Sequence, residues 1–139
     1  MADGNTNFSW DDPLLLDDQL TEEERMVRDM ARRFGEDRLM PVILEWNRKE
    51  EFDRELMKEF GELGFLGGVL EGYGCPGLGH VAYGLLCREL ERIDTAFRSA
   101  VGVQSGLAMG AIHGYGSEEQ KQRFLPQMAT GELIGCFGL

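Results

Sequence analysis

A chain of 139 residues, 42% hydrophobic and 28% charged, is long enough to bury one core and too mixed to be a low-complexity polymer. Its formal net charge of −11 excludes nucleic acid and anionic membrane surfaces as natural partners, since both require clustered Lys and Arg. Cys75, Cys87 and Cys136 are isolated thiols without Cys-x-x-Cys spacing, and His80 and His113 are the only histidines, so a structural metal and a His-based triad are both poorly supplied.

Residues 1–20 read as an irregular arm whose Phe8, Trp10 and Leu14 to Leu16 are apolar enough to pack on the body. Thr21 opens the first helix, with Glu24 completing a capping box and Glu22 and Glu23 suiting the positive helix end. Met26, Val27, Met30, Ala31 and Phe34 recur at helical spacing and predict one apolar face. The helix runs to Leu39 or beyond, with Pro41 bending or breaking it before a continuation through Trp46. Asp53 caps a second helix with Leu56, Met57, Phe60 and Leu63 inward and Gly64 at its end. Residues 65–79 form a Gly-rich loop. A third helix covers about Val81 to Asp94 and a fourth about Phe97 to His113. Ser117 and Gln120 make a second capping box, opening a fifth helix to about Thr130, with Pro126 inside it and Gly131 ending it. Leu133 to Leu139 then reads as a strand. The expected fold class is all-α, a helical bundle followed by one strand. An apolar strand without a partner is a liability, which favours the front piece of a longer protein.

The run Gly72-Tyr73-Gly74-Cys75-Pro76-Gly77 fits G-x-G-x-x-G, with Asp94 roughly twenty residues on as a dinucleotide fingerprint asks. The context refuses it: a helix precedes, no βαβ unit surrounds it, and Pro76 removes a backbone N–H. A tight connection between helices is the better reading. No apolar run reaches the roughly 18 residues a membrane span needs. The acidic start MADGNTNFSWDDP is neither a signal peptide nor an Arg-rich transit peptide. With the free thiols, these features suggest a bacterial-type cytoplasmic protein.

The stretch YGSEEQKQRFLPQMATGELIGCFGL resembles the close of the N-terminal helical domain of acyl-CoA dehydrogenases. FSWDDPLLLDDQLTEEERMVRD, GELGFLGGVLEGYGCPGLGHVAYGLLCRELERID and FRSAVGVQS extend the resemblance, most closely toward glutaryl-CoA dehydrogenases. The resemblance implies an arm over 1–20, the helical domain over 21–131, and the start of a middle β-domain over 132–139. It implies FAD as cofactor, a glutaryl-CoA substrate oxidised and decarboxylated to crotonyl-CoA, an electron-transfer flavoprotein as acceptor, and a homotetramer. Arg98 and Ser99 match positions that hold the distal carboxylate of the substrate. Glu91 matches an acidic residue that orients Arg98, two turns away on the same face if one helix runs through both. Phe137, Gly138 and Leu139 match the opening of the flavin-contacting strand. Gly102 stands where many glutaryl-CoA dehydrogenases have serine, and Phe97 replaces a common tyrosine. No catalytic residue is assigned here, because the family's general-base glutamate belongs to a C-terminal domain, as do further flavin elements to the β-domain. The chain alone is expected to be inactive. Two alternatives stay open: a stand-alone helical interaction module, and an acyl-CoA dehydrogenase for another acyl group.

Overall fold

In the computed structural model, which describes Trp10 and residues 12–138, the capping box expected at Thr21 is complete. The Glu24 N–H donates to Thr21 Oγ1 at 3.2 Å and the Thr21 N–H to Glu24 Oε2 at 2.7 Å. Two orphan donors are thereby satisfied at the start of α1 (Glu22–Phe34). The helical run then widens into a π turn over Gly35–Leu39 and resumes as α2 (Met40–Lys49). The Met40 N–H reaches back five residues to the Gly35 carbonyl, so the wide turn accommodates Pro41, which has no N–H to give.

Asp53 Oδ1 accepts the Glu55 N–H at 3.0 Å and leads into α3 (Leu56–Glu62), which buries Leu56, Met57 and Phe60. α4 (His80–Ile93) follows the Gly-rich stretch. Extended backbone at Asp94 breaks the path, and its carboxylate caps α5 (Thr95–Gly102) by accepting the Ala96 N–H at 2.8 Å. The fourth helix expected from the sequence is realised as α5, a π segment over Val103–Met109, and α6 (Gly110–Tyr115). Ser117 and Gln120 form the second capping box at 3.3 and 2.8 Å, opening α7 (Glu118–Ala129), which keeps Pro126 in its last turn.

The Gly-rich stretch is more ordered than a loop. β1 (Glu71–Gly72) and β2 (Cys75–Pro76) pair antiparallel, with Glu71 opposite Pro76 and Gly72 opposite Cys75. Tyr73 and Gly74, the two loop residues, have φ of 55° and 81°, as a tight hairpin of this twist requires. The glycines of the G-x-G-x-x-G run therefore serve turn geometry. Tyr73 donates to Glu118 Oε2 at 2.9 Å and stands edge-on to His113 at 5.9 Å, fastening the hairpin to α6 and α7.

α1 lies along α4, and the main core fills the space between them, α3 and α5. Phe34, Phe60 and Phe65 meet there with ring centroids 5.9–6.0 Å apart. The inward face of α1 is carried by Val27, Ala31 and Phe34; Met26 and Met30, expected inward, are 65% and 37% exposed. Helical spacing alone places them within one residue of the buried stripe and does not fix its edges.

Among the described residues, polar contacts tie the arm to the body. Asp12 accepts the Leu16 and Asp17 N–H groups at 2.8 Å each, and Asp17 binds Arg28 at 2.7 Å. Trp10 and Leu14 to Leu16 are exposed, contrary to the packing expected of them; Phe8 lies outside the described residues. Beyond Leu133, among the described residues, no ladder forms over 134–138, and Leu139 lies outside them. The expected strand is thus absent, since a strand is defined by its partner.

One buried charge is prominent. Glu89 is 1% exposed and receives Arg32 at 3.1 and 3.2 Å, Arg88 at 2.9 Å and Arg92 at 3.3 Å. Burial pushes its carboxyl upward, but the hydrogen bonds from Arg32 and Arg88 and their charges outweigh this and hold it below the usual glutamate value of 4.5. The resulting stability is present above that value and is lost as pH falls through the lowered one. Glu89→Gln should lose about 2 kcal/mol at neutral pH, less than a fully buried pair because the arginines are partly solvated. In urea titrations the gap between wild type and variant should close on acidification; a gap constant with pH would show that the charge is not responsible.

Candidate functional site

Arg98 lies in the first turn of α5 and Glu91 in the last turn of α4, and Arg98 Nε meets Glu91 Oε2 at 2.7 Å. The two are not on one continuous helix. The break at Asp94, with φ −164° and ψ 141°, folds α5 back so that the pair closes across a bend. The hydrogen bond from Arg98, joined by the Thr95 hydroxyl, holds the Glu91 carboxyl below its usual range, and the same contact raises Arg98. Both side chains are about half exposed, 43% and 47%, so solvent partly screens their charges.

Glu91 engages only the Nε edge of the guanidinium. Among the described residues, none accepts a hydrogen bond from Nη1 or Nη2. Gly102 leaves room beside them: a Cβ there would stand 3.9 Å from Arg98 Nη1. Ser99 follows Arg98, half-buried and about 100° round the helix. It is not drawn into the Arg98–Glu91 pair among the described residues.

Behind Arg98 lies a polar cluster that the motifs did not reveal. Burial, with the charge of Cys87, pushes the Tyr83 phenol up to about 12. Burial likewise raises the Cys87 thiol, against the opposing pull of Tyr83 and the Arg98 charge. Ser105, 3% exposed, lies within reach of Tyr83 and accepts the Gly67 N–H at 2.9 Å. Gly68 lets this wall close up, since a Cβ there would lie 2.4 Å from the Tyr83 ring. Tyr83, Cys87 and Glu91 are spaced i, i+4, i+8, and that spacing was the available signal: one face of α4 leads to Arg98. Phe97 is 1% exposed and edge-on to Trp46 at 6.3 Å; a core ring without a hydroxyl needs no polar partner there.

The other predicted residues occupy a separate surface. Phe137 is 53% exposed and Gly138 is exposed, with nothing within 4 Å of where a Cβ would stand. They follow a groove of about 360 Å³ lined by Leu107, Ile112, Phe124, Met128 and Leu133. A bare aromatic and an unobstructed backbone leave a face that suits a planar heteroaromatic ring. The groove lining carries no cation, so it does not fit a pyrophosphate. Among the described residues, no cluster of three His, Cys, Asp or Glu could hold a metal, and no helix is long and apolar enough to cross a membrane.

The family profile described as "Acyl-CoA dehydrogenase, N-terminal domain" matches residues 21–132. The chain belongs to the acyl-CoA dehydrogenase family. The short-chain specific acyl-CoA dehydrogenase of Clostridium acetobutylicum is 33% identical over 125 residues, 89% of this chain and 33% of that protein. A glutaryl-CoA dehydrogenase from Mycobacterium smegmatis, solved in complex with FADH2, is 50% identical with a TM-score of 0.87, over 88% of this chain and 32% of that one. A second structure of glutaryl-CoA dehydrogenase from the same organism is 52% identical with a TM-score of 0.89, over 92% and 34% of the two chains. The chain therefore spans about a third of the length of the relatives it matches. Acyl-CoA dehydrogenases are FAD-dependent oxidoreductases, and one of the matched structures holds FADH2.

Proposed function

We propose that this chain is the N-terminal part of an FAD-dependent acyl-CoA dehydrogenase that oxidises and decarboxylates glutaryl-CoA to crotonyl-CoA. The observation that supports this most is Arg98: Glu91 fixes its Nε edge, while Nη1 and Nη2 are left without protein acceptors among the described residues. Two parallel N–H donors on a planar fork match a carboxylate bidentately. In this reading Arg98 binds the distal carboxylate of the acyl chain and Ser99 adds a hydroxyl nearby. Tyr83, Cys87 and Ser105 form the poorly hydrated floor that strengthens the contact. A plain fatty acyl chain would offer Nη1 and Nη2 no acceptor, leaving Glu91 as the guanidinium's one anionic partner among the described residues.

Phe137 and Gly138, with Leu139 next in sequence, would hold one wall of the flavin. FAD, when bound, supplies the acceptor for the hydride that leaves the β-carbon. The base that takes the α-proton is assigned outside residues 1–139. The same reading carries an electron-transfer flavoprotein as electron acceptor and assembly as a homotetramer.

The test is turnover by the full-length protein with glutaryl-CoA and butyryl-CoA in parallel, with CO2 release measured. Preference for glutaryl-CoA with stoichiometric CO2 is the expected result. Preference for butyryl-CoA would overturn the substrate assignment, and a full-length protein that binds no flavin would overturn the enzymatic reading altogether.

A further inference from the structure

Gln104 is buried to 1% exposure, although its amide has four hydrogen-bonding positions to satisfy. Its Nε2 donates to the Met128 carbonyl at 2.9 Å and to the Leu133 carbonyl at 2.8 Å, and its Oε1 accepts the Gly135 N–H at 2.7 Å. One side chain thus ties the end of α7 to the segment that leaves it, and the three partners fix which way the amide points. Among the described residues, the Gly135 contact is the sole hydrogen bond made by residues 134–138.

Gly135 is shaped to this anchor. A Cβ there would stand 2.5 Å from the Ala108 Cβ and 2.7 Å from the Met128 Cε, so the backbone passes flush against the π segment and α7. Phe137 comes two residues later and lines the same groove as Gly135. Gln104 itself sits at the second position of the π segment Val103–Met109. Its neighbour Ser105 is also buried but turns to Gly67, so this turn presents two adjacent polar side chains to two different backbones. Such wide turns recur at functional sites.

From this geometry we infer that Gln104 is a positioning residue: its amide, with Gly135, sets the path of residues 133–138 and so aims Phe137 and Gly138 at the flavin ring. This rests on the flavin-wall assignment made above. Gln104 touches neither flavin nor substrate; it acts through the segment it holds. Substituting it releases the path of the segment while leaving the apolar groove in place.

The experiment uses the full-length protein, stripped of flavin and titrated with FAD by fluorescence quenching, with the visible flavin spectrum recorded at saturation. Gln104→Met keeps the size of the side chain and removes its hydrogen bonds; Gly135→Ala pushes the segment off its seat and leaves Gln104 intact. Leu125→Ala, a core change in α7, serves as the comparison for a purely structural loss. Gln104→Met and Gly135→Ala should each raise the FAD dissociation constant by about tenfold or more and shift the flavin band. Leu125→Ala should lower the melting temperature while leaving both within about threefold of wild type. Should Gln104→Met fail to fold, Gly135→Ala carries the test alone. Wild-type affinity and spectrum in the folded variants, or the same change in Leu125→Ala, overturns the inference while leaving the enzymatic reading intact. A wild-type protein that binds no FAD overturns both.

Discussion

Arg98→Ala in the full-length protein should lower kcat/KM for glutaryl-CoA by about a hundredfold or more and change that for butyryl-CoA by less than about threefold. The loss has two parts. The substrate carboxylate loses its bidentate partner, and Glu91 loses the contact that holds its carboxyl in the low range, leaving two negative groups without the cation between them. Arg98 is 43% exposed in this chain, so solvent screens part of its charge and the loss comes chiefly from the missing two-pronged contact to the substrate carboxylate. Arg98→Lys keeps the charge but not the planar fork and should recover part of the activity, settling about tenfold below wild type. Steady-state kinetics on the two substrates decides the matter: equal losses on both would mean that Arg98 supports the fold or the CoA end and not the distal carboxylate.

The helix starts were legible because a capping box is local. Thr21 with Glu24 and Ser117 with Gln120 each need only two residues three apart, and both were found as expected. The breaks were less legible because tertiary packing decides them. Pro41 was expected to bend or break the first helix; instead Gly35–Leu39 opens into a π turn, allowed by close packing in which a Gly35 Cβ would lie 2.9 Å from Ile93. The hairpin at 71–76 was hidden because Tyr73 takes a φ of 55° that its side chain does not advertise, unlike Asn or Asp. At the candidate site, Arg98 and Glu91 were recognised as partners, but on the premise of a continuous helix that Asp94 interrupts. Ser99 was named beside Arg98 through a motif, and it stands about 100° round the helix from Arg98. Gln104 lies within the FRSAVGVQS stretch, but nothing local shows its role: its partners lie 24 to 31 residues on, at Met128, Leu133 and Gly135, and only the folded chain brings them together.

Gly131→Ala should be the most damaging single methyl added to this chain. Gly131 has a φ of +75°, and a Cβ there would lie 2.1 Å from the Met57 carbonyl oxygen, a backbone atom that cannot swing aside. The left-handed conformation alone costs a non-glycine residue about 1–2 kcal/mol, and overpacking adds about 1–3 kcal/mol. The sum, about 2–5 kcal/mol, should lower the melting temperature of the helical unit by roughly 5–25 °C. The contact is reciprocal, because a Cβ on Gly61 in α3 would lie 2.4 Å from the Thr130 backbone. The chain therefore brings α3 and the end of α7 together backbone to backbone, and the exit toward Gln104 and Gly135 begins from that seat. Two variants separate the causes. Gly131→Asn eases the left-handed conformation but keeps the clash, so it should recover no more than about 1 kcal/mol. Gly61→Ala improves helix propensity by about 1 kcal/mol and adds only the clash. A net loss for Gly61→Ala in thermal unfolding would show that the close approach dominates. A net gain would mean that the two helices can part without penalty and that φ at Gly131 accounts for the whole effect.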